Sequence, residues 1–327
     1  MKKRAICCFL LVFCGSVFLF GGEGVGAEKT KITIGRMIAT EMMVTFDIPI
    51  AKGYFEQEGL VLEQKHFING PNLMMSMANG ELDVGCGVAI TPALQSLAQG
   101  VDGIIVFSES KYNSPVVAGG HIKTFKDLDG KVVGTPGLGT VHNTYLNMAA
   151  QKYGIKFKKV IHAKITDLPV FLEKGEIDGF EGWEWIAAGT VTGVKGAHYV
   201  LRYPVINNAE MAVDVFNGKF YREHPELVKK FTRAYLRGMK YFTENPAEVI
   251  TFLAKRIDRP ETVAKMALES CKQDQPELDM PSVRILAQDA IETQKIKKEL
   301  VPDLDKFLAK YIDQRIMLEV KKEIGLK

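Results

Sequence analysis

Short apolar runs rich in β-branched residues alternate with segments of helical periodicity through the first two thirds of the chain. The apolar runs predict strands at 31–35, 60–66, 83–88, 103–107, 115–118 and 131–135, and the periodic segments predict helices at 48–58, 73–78 and 141–153. Thr91-Pro92 predicts a further helix start, with Thr91 as the cap and Pro92 in the first helical position. This alternation is typical of a parallel α/β architecture.

The pattern changes to helices alone after about Phe216. Four prolines, at positions 225, 246, 260 and 281, are each placed just inside a predicted helix start. The first helical position is where proline is usually found in a helix. Leu227, Phe231 and Tyr235 repeat at the spacing of one helix face. The last third therefore predicts a covering layer of helices.

One short pattern occurs twice. Gly80-Glu81-Leu82-Asp83 and Gly175-Glu176-Ile177-Asp178 lie 95 positions apart, and each follows an amphipathic helical segment and precedes a strand. Glycine suits the left-handed position that ends a helix. The repeat has two interpretations: two similar helix–strand joints in one α/β protein, or two lobes of like topology that face a shared cleft.

The first 27 residues differ from the rest. Residues 1–4 are basic, residues 5–20 are almost wholly apolar, and small residues lead to Ala27. This order predicts a secretory signal peptide over residues 1–27 and export to the periplasm. A membrane anchor is the alternative, but the apolar run is short for a span of about 20 residues. Lipid anchoring fits poorly, because Cys14 follows Phe13.

Composition and charge narrow the function. The 327 residues are 46% hydrophobic and 25% charged, which suits about two globular domains. The net charge of +3 falls to about +1 when residues 1–27, with three basic residues and one acidic one, are removed. A charge this small attracts neither nucleic acid nor anionic lipid. Only Cys86 and Cys271 then remain, and either a single bridge or plain burial suits them.

Five segments together resemble one family. Their order and composition are similar to those of the nitrate, taurine, alkanesulfonate and thiamine-pyrimidine-precursor binding proteins of ABC importers. The segments are 50–60 (IAKGYFEQEGL), 79–84 (NGELDV), 125–134 (FKDLDGKVVG), 175–178 with 182–184 (GEID, GWE), and 224–228 (HPELV). The resemblance extends from about 32 to 252. It departs from the family at Trp185, where proline usually follows Trp-Glu.

The resemblance implies a two-lobed α/β fold of the periplasmic-binding-protein type. Lobe one would hold residues 28–112 and 214–327, with the C-terminal helices packed on it, and lobe two would hold residues 113–213. Hinge crossings are implied near 111–118 and 205–216, with 111–115 and 205–209 as the candidate pivots.

The implied function is the extracytoplasmic solute-binding component of an ABC-type importer. Such a protein is expected to be a monomer that holds a small molecule between its lobes and delivers it to a permease in the inner membrane. The expected ligand is a nitrogen-containing or aromatic compound, or a sulfonate-like one. An enzyme of the thiamine-pyrimidine-precursor type is the alternative, but its Cys-rich motif is absent from this sequence.

Candidate ligand-binding residues follow from the rule that ligands lie beyond the carboxyl ends of strands. The loops that meet this rule lie within 37–46, 68–72, 88–92, 136–143 and 180–185. The candidate residues are Met42, Phe46, Asn69, Thr91, Asn113, Thr140, His142, Trp183, Glu184 and Asn207. Trp183 would wall the cleft and Glu184 would accept a hydrogen bond from a ligand amine, whereas core packing and a salt bridge are their ordinary roles. No catalytic motif or metal-ligand spacing occurs, so we expect no cofactor and no metal.

The signal-peptide assignment predicts where the exported protein begins. We expect the mature chain to start at Glu28, because cleavage should follow the small residues that end at Ala27. N-terminal sequencing of protein recovered from the periplasm measures this. Recovery of an intact Met1 start in the cytosol would contradict the assignment.

Overall fold

The computed structural model describes residues 29–37, 44–271 and 273–326. Within them the strands are β1 (Thr30–Met37), β2 (Leu60–Phe67), β3 (Val84–Ala89), β4 (Gly103–Lys111), β5 (Val116–Ala118), β6 (Val132–Thr135), β7 (Lys159–His162), β8 (Gly179–Glu181), β9 (His198–Leu201) and β10 (Glu210–Asn217). The helices are α1 (Val44–Ala51), α2 (Tyr54–Gln57), α3 (Gly70–Ala78), α4 (Ile90–Ala98), α5 (Val141–Tyr153), α6 (Leu168–Glu173), α7 (Glu184–Gly193), α8 (Gly218–Glu223), α9 (Pro225–Glu244), α10 (Pro246–Ile257), α11 (Glu261–Ser270), α12 (Met280–Glu292), α13 (Leu304–Tyr311) and α14 (Arg315–Glu323). The predicted signal peptide lies outside the described residues.

The strands form two separate five-stranded sheets, ordered β2-β1-β3-β10-β4 and β7-β6-β8-β5-β9. The chain passes from the first sheet to the second between β4 and β5 and returns between β9 and β10. The fold is therefore the predicted two-lobed α/β type. The expectation of parallel sheets was only partly right, because β5 and β10 run antiparallel to their neighbours. Each of these two strands directly follows a passage of the chain from one sheet to the other.

The repeated Gly-Glu-aliphatic-Asp pattern has the same structural role in both sheets. Gly80 and Gly175 both adopt φ 73°, the left-handed conformation that ends α3 and α6. The Asp83 carboxylate then accepts the backbone N–H of Thr33 in β1 at 2.8 Å, and Asp178 accepts that of Val132 in β6 at 2.9 Å. The repeat therefore marks one joint in each lobe that ties a helix end to the start of a parallel strand.

The core lies on both faces of the first sheet. Beneath α1, α2 and α9, rings of Phe46, Phe55, Phe231 and Tyr235 pack with centroids 5.1–6.0 Å apart. The helices after Phe216 cover this lobe, as the periodicity predicted. None of the helices in the described ranges is long and apolar enough to span a membrane.

Two local predictions were wrong. The helix expected over 48–58 is two helices, because Gly53 turns into the left-handed region (φ 68°) between α1 and α2. Thr91 does not cap α4, since the helix already begins at Ile90 and Ala89 occupies the cap position. The hydroxyl of Thr91 is therefore buried inside the helix and has no hydrogen-bond partner among the described residues.

The close contact between α1 and α9 generates a stability prediction. A Cβ on Gly238 of α9 would lie 2.5 Å from the ring of Pro49 in α1, closer than atoms pack. We expect Gly238→Ala to lower the free energy of unfolding by about 1–3 kcal/mol, because overpacking outweighs the better helix propensity of alanine. Urea unfolding monitored by circular dichroism measures the change.

The matched control is Gly189→Ala in α7, where no atom lies within 4 Å of the added Cβ. Here only helix propensity acts, so we expect a gain of up to about 1 kcal/mol. Equal effects of the two substitutions would contradict the packing argument.

Candidate functional site

A buried polar cluster lies where the first crossing meets the carboxyl end of β8 and the start of α5. The side-chain oxygen of Asn113 accepts the backbone N–H of Glu184 at 2.8 Å, which caps the first turn of α7. The next residue, Ser114, donates to Glu181 and lies 2.9 Å from Nδ1 of His142. The ring of Trp183 meets His142 edge-on at 6.3 Å. The sequence analysis had assigned Asn113, His142 and Trp183 to the site, and the structure brings them together.

Burial disfavours charge in this cluster. It lowers the pKa of His142 to about 3 and raises the pKa of Glu181 well above its usual value, against the opposing hydrogen bond from Ser114. Ser114 stands between Glu181 and His142, so the acid contacts the hydroxyl and not the imidazole. An acid–histidine–serine relay requires the histidine in the middle. The arrangement is therefore suited to hydrogen bonding and not to activation of a nucleophile.

Glu184, the next candidate, is turned toward the other lobe. Its Oε1 accepts hydrogen bonds from Tyr199 at 2.8 Å and from Ser270 of α11 at 2.9 Å. Arg202 donates to the same Ser270 hydroxyl at 2.7 Å. The Glu184 carboxylate thus joins α7 to α11 across the two lobes.

A second acidic cluster, which the sequence analysis missed, lies at the carboxyl edge of the first sheet. Asp214 of β10 accepts the backbone N–H of Gly87 at 2.8 Å. Burial raises its pKa, and burial together with the charge of Asp214 raises that of Glu109. Arg36 pairs with Asp47 below the same edge. The sequence does contain an indication of this cluster. Four consecutive polar residues, 108–111, end β4, a strand that is otherwise apolar and is buried almost throughout.

The remaining first-lobe candidates occupy different surroundings. Phe46 is fully buried in the aromatic core, with the Arg36 guanidinium 5.1 Å from its ring centroid. Asn69 caps α3 by accepting the backbone N–H of Asn72 at 2.9 Å. Thr91 is buried with its hydroxyl unpaired, as described above. Met42 lies outside the described residues.

The second-lobe candidates include one structural cap and one crossing residue. Thr140 caps α5 through the backbone N–H of Asn143 at 3.2 Å. Asn207 is exposed on the second crossing, 3.2 Å from the Tyr112 hydroxyl. Trp183 is the N-cap residue of α7, and Trp185 lies within the helix. Trp185 packs against apolar residues of α10 and α11.

Other features of the described residues add no chemistry to this cluster. A surface groove of about 530 Å³ runs along the crossings and includes Asn207, but none of the other candidate residues lines it. Cys86 and Cys271 are both buried, and no disulfide joins them. No group of three or more metal-ligating side chains occurs in the described part of the chain.

The neutral His142 predicts how stability responds to acid. His142 binds a proton near pH 6.5 in the unfolded chain but only at about pH 3 in the folded protein. The free energy of unfolding therefore decreases as the pH falls through this window. Relative to His142→Gln, we expect the wild type to lose about 1.4 kcal/mol for each pH unit in that range. Comparing the two proteins cancels the opposite contribution of Glu181.

Urea unfolding at a series of pH values measures this difference. The same exchange at exposed His66 on β2 is the matched control. Parallel pH profiles for the wild type and His142→Gln would contradict the assignment of a neutral buried imidazole.

Comparisons with known sequences identify the family. The NMT1/THI5-like family profile matches residues 48–249. The taurine-binding periplasmic protein of Escherichia coli is 23% identical over 265 residues, covering 79% of this chain and 77% of that protein. A Brucella abortus protein described as a candidate binding protein is 28% identical over 229 residues, covering 65% of this chain and 69% of that protein.

Solved structures share the fold. The periplasmic aliphatic sulphonate binding protein of Escherichia coli has a TM-score of 0.74 at 16% identity, covering 88% of this chain and 99% of that one. The periplasmic nitrate-binding protein of Synechocystis PCC 6803 has a TM-score of 0.72 at 13% identity, covering 92% and 90%. Both comparisons give the predicted periplasmic-binding-protein fold. The family profile spans more than half of the 327 residues of this chain, which therefore belongs to the NMT1/THI5-like family.

Proposed function

We propose that this protein is the periplasmic solute-binding component of an ABC-type importer, which binds a small organic molecule between its lobes and delivers it to an inner-membrane permease. The observation that carries the proposal is the polar cluster of Asn113, Ser114, His142 and Glu181 between two lobes that the chain crosses twice. Related proteins bear the names of taurine, aliphatic sulphonate and nitrate binding proteins. Binding occurs without chemical change to the ligand.

Buried atoms without partners support a ligand site in this region. Nδ2 of Asn113, Oε2 of Glu181 and the hydroxyls of Thr91 and Ser110 are buried, and none has a hydrogen-bond partner among the described residues. A buried polar group without a partner costs free energy, and such groups concentrate at functional sites. They come from both lobes and from the first crossing, so one small molecule between the lobes could reach them together.

The proposed organisation follows the sequence analysis. Residues 1–27 form the export signal, residues 28–112 and 214–327 form lobe one, and residues 113–213 form lobe two. The ligand is a nitrogen-containing or aromatic compound, or a sulfonate-like one, and the functional unit is a monomer. Trp183 supplies an aromatic wall for the ligand, while Glu184 links the lobes through Ser270.

Closure of the lobes is the mechanical step. Hydrogen bonds that link the lobes in this structure include those from Ser270 to Glu184 at 2.9 Å, from Arg202 to Ser270 at 2.7 Å and from Lys295 to Thr144 at 3.0 Å. A ligand that touches both lobes stabilises this closed form by its differential affinity for it. The permease could then recognise a loaded protein by its outline.

A ligand panel tests this function. We expect at least one member of a set of sulfonates, pyrimidines, amines and carboxylates to raise the melting temperature, because binding to the folded state alone adds about 2.7 kcal/mol at 100 times Kd. Small-angle X-ray scattering with that compound should show a smaller radius of gyration in a protein population that was partly open. Trp183→Ala should weaken its binding by about 1–3 kcal/mol in calorimetry.

The control is Trp185→Phe, which alters a tryptophan packed in the helix interface and outside the cluster. Stabilisation by none of the panel would count against a small-molecule binding protein. An affinity that Trp183→Ala leaves unchanged would remove Trp183 from the site.

A further inference from the structure

The basic side chains that the structure describes around the site are already engaged. Arg36 and Arg256 both pair with Asp47, and Lys111 binds Glu210 and the carbonyls of Gln275 and Glu277. Arg202 donates to Ser270 and to the Met266 carbonyl. Lys295 binds Asp289 and Thr144. His142 is neutral because burial lowers its pKa to about 3. Nε of Arg36 and Nε of Arg256 are buried and have no hydrogen-bond partner among the described residues, but both lie outside the cluster of Asn113, Ser114, His142 and Glu181. Within that cluster an anionic ligand would meet only neutral donors.

By contrast, the carboxyl group at the centre of the cluster has an oxygen without a hydrogen-bond partner among the described residues. Glu181 is 1% exposed at the end of β8, and its Oε1 accepts the hydroxyl hydrogen of Ser114. Its second oxygen, Oε2, is buried and has no hydrogen-bond partner among the described residues. An anion beside Glu181 would oppose ionisation of a buried carboxyl that has no counter-ion among the described residues. A cation would supply both the missing hydrogen bond and the missing charge.

Trp183 adds a second feature that suits a cation. It stands two residues after Glu181, half-buried, with His142 against its edge. An aromatic face attracts ammonium and amidinium groups through its quadrupole and covers their apolar parts. Charge and shape therefore favour the same class of ligand.

We propose that the ligand is a small organic cation whose N–H groups bind Oε2 of Glu181 and whose apolar part lies against Trp183. This inference rests on the proposed function and decides between the nitrogen-containing and the sulfonate-like ligand. It makes Glu181, which was absent from the candidate residues of the sequence analysis, the residue that determines specificity.

Binding of a cation is accompanied by loss of a proton. Burial raises the pKa of Glu181, which favours the neutral acid in the free protein. When the cation arrives, the carboxyl O–H bond breaks, the carboxylate pairs with the ligand, and one proton leaves to solvent. Of the titratable groups on the neighbouring elements, His142 is held neutral, Tyr145 donates to the Glu210 carbonyl, and Glu184 is bonded to Tyr199 and Ser270. None of them takes up the proton.

The test uses three planar probes of nearly equal shape: benzamidine, benzamide and benzoate, which are cationic, neutral and anionic. In thermal unfolding and titration calorimetry of the mature chain, benzamidine should stabilise most and benzoate least. Glu181→Gln should weaken benzamidine binding by about tenfold or more, since a hydrogen bond to a charged group is lost, and leave benzamide within about twofold. Glu176→Gln, an exposed carboxyl in the same lobe, is the matched control.

Proton release separates a direct contact from a structural effect. Titrations at pH 7 in phosphate and in Tris, whose ionisation enthalpies differ, should show proton release on benzamidine binding to the wild type and none in Glu181→Gln. If Glu181→Gln does not fold, Trp183→Leu gives a second variant, which should weaken benzamidine binding and leave the proton count unchanged.

Several outcomes overturn the inference. They are stabilisation by benzoate and not by benzamidine, no effect of benzamidine at all, and equal benzamidine affinity in Glu181→Gln. Each of these leaves the proposed function standing, because that function fails only if the wider panel of sulfonates, pyrimidines, amines and carboxylates also has no effect.

Discussion

The hydrogen bond from the backbone N–H of Glu184 to the side chain of Asn113 fixes the geometry of the whole inter-lobe region. The first N–H groups of a helix have no partner within the helix, and Asn113 supplies one for α7 from the crossing strand. This bond aligns the crossing with the end of β8, so Ser114 lies between Glu181 and His142. It also sets Trp183 at the cap position and turns Glu184 toward α11. One amide thus positions both the cluster and the contact that joins the lobes.

Burial of acidic groups without counter-ions is the energetic constraint on this region. A buried ionised carboxylate costs several kcal/mol unless it is paired, and burial accordingly raises the pKa of both Glu181 and Glu109. Asp47, by contrast, has two guanidinium partners, Arg36 and Arg256. Asp47 in the helix layer therefore has ion-pair partners, whereas Glu181 and Glu109 in the strands have none among the described residues. A buried acid without an ion-pair partner lowers the free energy of unfolding relative to an apolar residue of the same size. This cost is the argument for a functional role of Glu181 and Glu109.

Local signals predicted the fold well because they depend on neighbours in sequence. The alternation of strands and helices, the position of α5 and the Asp83 and Asp178 joints all follow from periodicity and turn chemistry within a few residues. Thr91 was misassigned because the cap rule cannot tell the cap position from a residue one place inside the helix. Gly53 likewise split a helix that continuous periodicity had extended.

The site was less accessible to sequence reasoning because its contacts span long separations. Glu181 meets Ser114 across 67 positions, and Ser270 meets Glu184 across 86. Nothing in either segment indicates the other. Polar residues inside apolar strands were the usable signal, and it would have drawn attention to Glu109 and Glu181 together.

The two crossings also constrain how the lobes can move. Tyr112 and Asn208 both have positive φ, 72° and 47°, a conformation that is uncommon for Tyr and that Asn adopts more readily. The Tyr112 hydroxyl accepts the backbone N–H of Asn208 at 2.8 Å and lies 3.0 Å from its side-chain oxygen, so the crossings are tied to each other. Tied residues rotate together, and a rotation between lobes must then be absorbed on either side of them. Ser114 lies two residues after Tyr112 and contacts Glu181 and His142 of the second sheet's lobe, so such a rotation would move the cluster relative to the first lobe.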